Sequence, residues 1–593
     1  MCQTINERKR EIISALKEKD LDAWIIPAAD PHQSEYLPDH WKIREWATGF
    51  TGSAGTAIFT QEKAGLWTDS RYFIQGDEEL SGTGIELYRM GEPDVPSQLE
   101  FLIHELTAGS KVGMNAQLWS LVTIEQYQQK LEAKGIQLIL DEKVIEEIWD
   151  RKGRPAPSQE KIFAHPEAFL AQNTSEKLGR IREAMVLHDV QEHLITSLDD
   201  IAWIYNLRGH DIAYNPVFLA YTIIRQEDAL LFVDQGKLST EVLQRLQRDH
   251  IIVHPYNSID AYLTKVQSNF LINPEDCNFH LTQVIKRDAI KRGPTLSRLM
   301  KACKTEVEIN HIEQAMIQDG VALVKAFVTL YQRLSSESMT EYDFAQLIAQ
   351  KRSEQPHYYG ESFPAIVGYQ ANGAIVHYRP KKATSATIRA EGVLLCDSGG
   401  QYYNGTTDIT RTIALGEVSD EQKDRYTRVL KGHIAIDQTL FPAGTTGATL
   451  DTLARQFLWN SGCNFGHGTG HGVGYFLNVH EPPQGISPGT SLRARTAIQE
   501  GMLTSNEPGY YEDGAYGIRI ENLIVAEASE YEGYLRHRHL TLFPIDTHLI
   551  QFNLMTRDEV KWLNDYHNLV FEKLSPHLEG DELEWLEKSC ASI

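Results

Sequence analysis

Asp397 and Asp408 lie eleven positions apart in the stretch EGVLLCDSGGQYYNGTTDIT (391–410). Ser398-Gly399-Gly400 and Asn404-Gly405 stand between them, and Gly and Asn accept the positive φ that tight turns require. The pattern predicts a strand ending near Asp397, a reversal, and a second strand carrying Asp408 into Thr410, Thr412 and Ile413. Such a hairpin brings two carboxylates together. Left alone they repel, and one must take up a proton. No Lys or Arg stands beside them until Arg411. A divalent cation resolves the repulsion, so further ligands are to be sought along the chain.

The donors follow in order. Gly466-His467-Gly468-Thr469-Gly470-His471-Gly472-Val473-Gly474 carries two histidines four apart. Alternating glycines argue against a helix there, and no Glu follows His467 as an HExxH site requires. A phosphate loop would continue into Lys-Ser/Thr, which is missing. The glycines then let backbone and substrate come close to the imidazoles. Val479-His480-Glu481-Pro482-Pro483 and Asn506-Glu507-Pro508-Gly509-Tyr510-Tyr511 add a histidine and a carboxylate. Gly517 through Val525 reads as one strand with Arg519 and Glu521 on the same face. Ala374-Ile375-Val376-His377-Tyr378 reads as a strand bearing another histidine. Taken singly, each has a bland reading: a turn aspartate, a satisfied core histidine, a Glu521–Arg519 ion pair, packing tyrosines. Only the ordered set points to chemistry.

These residues need a scaffold. Residues 5–18 form an amphipathic helical pattern with Ile5, Ile12, Ile13 and Leu16 on one side. Alternating apolar runs and helical segments then continue to a linker at 151–159, RKGRPAPSQ. A second unit repeats the order, with Phe232-Val233-Asp234 in the place of Leu66-Trp67-Thr68-Asp69, which predicts a divergent internal duplication. Thr305 and Glu308 form a capping box that opens a long helix through Tyr331. Helices are expected at 341–355, 420–439, 449–461, 557–574 and 582–589.

The chain has 593 residues, enough for two to four domains, and 42% hydrophobic residues, as in ordinary globular proteins. A formal charge of −24 argues against nucleic acid and anionic membranes as partners. No secretory signal and no membrane-length apolar run is found. Six scattered cysteines without CxxC read as reduced thiols in a cytoplasmic protein, and Cys396 should face away from Asp397.

Taken together, the two-aspartate hairpin, HGTGHGVG, VHE, NEPG and IRIEN in residues 304–527 resemble the pita-bread metallopeptidases. Length and three-unit layout resemble the long cytosolic form of the aminopeptidase P (Xaa-Pro aminopeptidase) family. ATGFTGSAGTAIF and LWTDSRY are similar to its N-terminal unit. The resemblance implies an α/β (α+β) protein: creatinase-like domains at 1–155 and 156–303, a catalytic domain at 304–532 and a C-terminal extension at 533–593. It implies that Asp397 serves one metal, that Asp408 and Glu521 bridge two, and that His471 and Glu507 bind the other. It places His377, His467 and His480 towards substrate, and Arg519 and Tyr511 as supports. Four carboxylates and one imidazole make a hard ligand set that suits two Mn²⁺ per subunit, with Zn²⁺ or Co²⁺ as substitutes.

The implied reaction is hydrolysis of the bond between an N-terminal residue and a following proline, by a hydroxide shared between the two metals. Glu507 would move the proton and His480 would hydrogen-bond the developing oxyanion. His377 and His467 would line the proline pocket or orient the leaving group. A homodimer is the family expectation. Prolidase shares the metal set but lacks the long N-terminal layout; creatinase and non-catalytic peptide-binding relatives lack the full ligand set.

Overall fold

A computed structural model describes residues 2–140, 143–334 and 338–593. Contacts divide the chain into two compact units, 1–164 with 172–297, and 165–171 with 298–593.

In the first unit, the helix Cys2–Glu18 buries Ile5, Ile12 and Leu16, while Ile13 is only half-buried. It precedes a six-stranded sheet. In chain order the strands are Ala23–Ile26, Thr56–Thr60, Ala64–Thr68, Glu86–Arg89, Lys111–Met114 and Gln137–Ile139, arranged spatially 4-3-2-1-5-6. A second six-stranded sheet uses Glu192–Ile195, Ala220–Arg225, Ala229–Val233, Ile251–Pro255, Phe270–Ile272 and Ile290–Arg292 in the same spatial order. Parallel and antiparallel pairings also correspond one for one. The predicted duplication is thus visible as identical topology, and Thr68-Asp69 and Val233-Asp234 do end equivalent strands. The two sheets share one apolar core that includes Trp24, Trp119, Phe232 and Phe279. Asp69, capping the turn after its strand, is held by Arg71 at 2.7 Å.

The second unit opens with the long helix Glu306–Leu334. Its start is the predicted capping box: the Glu308 N–H donates to Thr305 Oγ1 (3.3 Å) and the Thr305 N–H to Glu308 Oε2 (2.8 Å). Helices Glu341–Ser353, Asp420–Gln438 and Gly447–Trp459 follow, and Arg557–Leu574 and Gly580–Ser589 close the chain. Between them lie a three-stranded sheet (Ile366–Tyr369, Val393–Ser398, Ile409–Ala414) and a six-stranded one. The latter runs Phe441–Pro442, Tyr534–His539, Asn522–Ala528, Leu503–Asn506, Gly470–Gly472, Glu481–Ile486. Apolar faces of helices and sheets meet in a core around Phe327, Leu430, Ile518 and Trp562.

Two local expectations change, and a third is given its geometry. Ala374–Tyr378 is not a strand: a 3₁₀ helix spans Gln370–Ala374 and a turn follows. Gly373 there lies so close to Gly517 that a Cβ on Gly517 would meet the Gly373 carbonyl oxygen at 1.8 Å, so the segment rides on another strand rather than pairing as one. Gly517–Val525 is two strands, Tyr516–Arg519 and Asn522–Ala528, broken at Ile520-Glu521. The break occurs because the chain changes sheets, and the Glu521 N–H bonds Thr410 O instead (3.0 Å). Finally, the HGTGHG glycines serve backbone approach between strands: a Cβ at Gly470 would fall 1.8 Å from Ser505 O.

Candidate metal centre

The hairpin forms as the turn residues demand. Val393–Ser398 pairs antiparallel with Ile409–Ala414, Asp397 opposite Thr410, and Asp408 stands just before the second strand. The intervening residues fold into their own small ladder, Gln401 opposite Thr406. Cys396 is buried on the other face, and burial pushes its thiol up to about 12. It is inert. Cys277, Cys463 and Cys590 are also free thiols.

Short strands and strand ends bring the remaining candidate ligands to the same place. His471 lies in Gly470–Gly472, Glu507 directly follows Leu503–Asn506, and Glu521 occupies the break between the last two strands. One ligand atom each from Asp408, His471 and Glu521 lie within 4.8 Å of one another. His471 Nε2 is 3.5 Å from Asp408 Oδ2 and 3.4 Å from Glu507 Oε1. The other ring nitrogen, Nδ1, is 3.0 Å from the Gly472 carbonyl oxygen, so it carries the proton and leaves the Nε2 lone pair facing the carboxylates.

The electrostatics call for cations. Burial, then the neighbouring Asp397 and Glu507, hold the Asp408 carboxyl well above the usual carboxylate range. Burial, then Asp408, Glu507 and Asp397, do the same to Glu521. Glu507 is raised by burial, an effect that His471 and Arg519 oppose. Asp397 Oδ1 and Glu521 Oε1 are buried oxygens with no hydrogen-bond partner. Orphaned oxygens amid mutually repelling carboxylates, with one imidazole lone pair turned inward, fit a set of divalent cations.

The one guanidinium in this cluster is Arg519, not the nearby Arg411. Arg519 Nη2 donates to Asp397 Oδ2 (2.6 Å), Nη1 to the Tyr511 hydroxyl (2.7 Å) and Nε to Thr410 Oγ1 (3.1 Å). The Tyr511 hydroxyl is also 2.7 Å from His467 Nε2, and burial pushes it up to about 12. His467 is thereby tied to Asp397 through Tyr511 and Arg519. His480 stacks edge-on against His471, ring centroids 4.2 Å apart. His377 sits in the 370–378 segment, one residue after Val376, whose carbonyl accepts from Arg519 Nη2 at 3.4 Å.

Some residues of this centre were not singled out from sequence. The Thr410 hydroxyl donates to Glu521 Oε2 (2.8 Å); its position two after Asp408, on the same strand face, was the available signal. Ser505 donates to Glu507 Oε1 (3.1 Å) and accepts from the His471 N–H (2.9 Å). Asp451 holds Thr469 at 2.7 Å and Arg455, whose Nη2 donates to His467 O at 2.6 Å. Nothing local marks Asp451, which lies in the helix Gly447–Trp459.

Comparison with known proteins agrees with this architecture. Residues 310–528 match metallopeptidase family M24, and 533–593 match the C-terminal region of peptidase M24. Residues 8–148 and 153–308 each match a creatinase/prolidase N-terminal domain. A protein of Coprinopsis cinerea named probable Xaa-Pro aminopeptidase P is 38% identical, over 98% of this chain and 97% of its own length. The crystal structure of X-prolyl aminopeptidase from Caenorhabditis elegans, described as a cytosolic enzyme with a di-nuclear active site, superposes with a TM-score of 0.95 at 31% identity, covering 100% of both chains. A Xaa-Pro dipeptidase from Bacillus anthracis shares the fold at 24% identity and TM-score 0.50, but covers 63% of this chain.

Proposed function

The chain belongs to the Xaa-Pro aminopeptidase P family of metallopeptidases, and on that premise we propose how its centre removes an N-terminal residue that precedes proline. The protein is a peptide hydrolase. One observation carries the reading: Asp397, Asp408, His471, Glu507 and Glu521 converge in one buried cluster with two orphaned carboxylate oxygens. These five would hold two divalent cations, Asp408 and Glu521 being shared, and the oxygen-rich set favours Mn²⁺ over Zn²⁺ or Co²⁺. Bound there, the cations supply Lewis acidity that lowers the pKa of an attacking water and polarises the scissile carbonyl.

The chain's own residues do the rest. Glu507, beside His471, takes the proton of the attacking water and delivers it to the leaving proline nitrogen. His480, against His471, donates to the carbonyl oxygen as negative charge gathers there. His467, oriented by Tyr511, and His377 face the proline side. Arg519 holds Asp397 and Tyr511 in place. Longer peptides, Xaa-Pro-Yaa, are favoured over dipeptides because the likeness to aminopeptidase P spans both N-terminal sheets, whereas the dipeptidase covers 63% of the chain.

We further propose the four-part organisation 1–155, 156–303, 304–532 and 533–593, a homodimer, and a cytoplasmic setting; the C. elegans neighbour's description as cytosolic supports the last. No helix among the described residues is long and apolar enough to cross a membrane. The test is hydrolysis of Arg-Pro-Pro and of Arg-Pro by the same sample, before and after chelation and after Mn²⁺ add-back, with metal content measured alongside. Full activity in the chelated protein overturns the metal reading. Preference for the dipeptide overturns the assignment of substrate length.

A further inference from the structure

Glu341 is a fully buried carboxylate that lies outside the metal centre. It is the first residue of the helix Glu341–Ser353. Four residues donate to it. The Tyr369 N–H reaches Oε1 at 2.7 Å, and Asn372 Nδ2 reaches both oxygens at 2.9 and 3.1 Å. The Tyr378 hydroxyl and the Ala386 N–H each reach Oε2 at 2.8 Å. All four donors are neutral, and all belong to the segment 369–386 that carries His377. The carboxylate's charge is suited to the first turn of a helix, where free N–H groups favour an anion.

The pattern is that of a clamp. Tyr369 ends the strand Ile366–Tyr369, and Ala386 precedes the Thr387–Ile388 strand. That strand pairs back onto Met339-Thr340, Thr340 opposite Thr387. One carboxylate therefore ties both ends of the segment and two points inside it. The neighbours of His377 are held on both sides. On one, Val376 O accepts from Arg519, which also grips Asp397. On the other, the Tyr378 hydroxyl is fixed by Glu341. A short turn with both flanks anchored leaves its central residue little freedom.

We propose that Glu341 is a positioning residue for catalysis: through Tyr378 and the ends of segment 369–386, it sets His377 against the metal centre. The inference rests on the reading of His377 given above as a substrate-facing group. Replacing the carboxylate by an amide puts an N–H₂ group among donors, so the contacts to one oxygen, two at Oε1 or three at Oε2, are disrupted. Losses of about tenfold to a hundredfold are typical when a supporting hydrogen bond to a site residue is removed.

The experiment is a double-mutant cycle on the full-length, metal-loaded protein, with Arg-Pro-Pro as substrate: Glu341→Gln, His377→Ala and both together. Metal content and the thermal midpoint are measured on each. The expected result is that E341Q lowers kcat/KM by about tenfold to a hundredfold with unchanged metal content. The double variant should then match H377A within about twofold, because the two residues act as one unit. If H377A is impaired and the E341Q loss multiplies onto it in full, Glu341 is only a structural brace and the inference is overturned alone. If H377A keeps wild-type kcat/KM, the role of His377 falls and the inference with it. Should E341Q fail to fold, Tyr378→Phe runs the same cycle. It removes one hydroxyl, and its smaller loss should vanish in the H377A background; a loss that persists there overturns the inference.

Discussion

Lys304→Met tests how the strand that follows His480 is held. Lys304 is buried, its side chain 1% exposed, and its ammonium pairs with Glu481, donates to Lys301 O at 2.9 Å and reaches Ala302 O at 3.4 Å. Glu481 is the residue after His480 and opens the strand Glu481–Ile486 opposite Gly472. Methionine keeps the apolar stem and removes the charge. The lost charge-assisted bond costs about 1.5–3 kcal/mol, and a buried carbonyl left without its donor adds about 1 kcal/mol. Breaking a buried ion pair usually costs about 3–5 kcal/mol. Lys301 Nζ, 3.7 Å from Glu481 Oε2, still offsets part of the exposed charge, which argues for the lower end, about 3 kcal/mol. An unfolding entropy of roughly 2.1 cal/mol/K per residue over a unit of roughly 300 residues converts this to a fall of about 5 °C in the transition of the second unit. Because Glu481 leads directly from His480, kcat/KM should fall about tenfold as well. Calorimetry and Arg-Pro-Pro turnover provide the two readings. Glu481→Gln, which leaves both lysines without their anion, should be the more damaging change. A shift of less than about 1 °C with unaltered kcat/KM, or a milder Glu481→Gln, refutes the reasoning.

Other outcomes follow from the same structure. Asp408→Asn should abolish Arg-Pro-Pro hydrolysis and reduce bound metal, measured by elemental analysis, whereas Asp69→Asn, whose carboxylate serves Arg71, should leave metal content unchanged. Gly517→Ala should destabilise the second unit by several kcal/mol or about that order, because its Cβ meets Gly373 O at 1.8 Å, and chemical denaturation will read the loss. Stability should fall on acidification. Burial depresses His193 and His567 to about 4, below the ordinary 6.5, so the unfolded chain binds more protons between those values. Their stabilising effect is complete above about pH 6.5 and is lost as pH drops towards 4, by about 3 kcal/mol for each fully buried ring. His193→Gln should flatten the urea-midpoint profile between pH 4 and 6.5; an unchanged slope counts against it.

The candidate ligands could be picked out because local signals mark them: Gly and Asn turns around Asp397 and Asp408, glycines about His471, Pro508 after Glu507. The helices were legible from capping and periodicity, and the Thr305–Glu308 box appears as expected. The repeat of the two N-terminal sheets showed in matching strand ends at Asp69 and Asp234. Two strand assignments failed for a shared reason. Ala374–Tyr378 and Gly517–Val525 both look extended by residue type, yet the first lies across the second with Gly373 against Gly517. That contact, and the change of sheets that breaks the second segment at Ile520-Glu521, both join residues far apart in sequence, and no local pattern encodes them.

The choice of cation for Asp397 makes the same point at the level of a single charge. Arg411 is near in sequence, three residues past Asp408. It lies opposite Cys396, so it shares the face away from Asp397, where it donates to Glu521 O (2.6 Å), Phe543 O (2.7 Å), Pro544 O (3.0 Å) and the Tyr566 hydroxyl (2.8 Å). It satisfies the Glu521 carbonyl where the chain changes sheets, together with the carbonyls of Phe543 and Pro544. That break turns Glu521 into the centre while Arg519, ending its own strand, reaches Asp397. Two arginines thus divide the work: one meets backbone carbonyls behind the site, and the other fixes an aspartate within it. A single-residue slip of Ile409–Ala414 against Val393–Ser398 would turn Arg411 to the other face. It would put Arg411 among the carboxylates and deprive Glu521 of its backbone anchor, which ties the placing of the candidate ligands to the pairing of Val393–Ser398 with Ile409–Ala414 as much as to the ligands themselves.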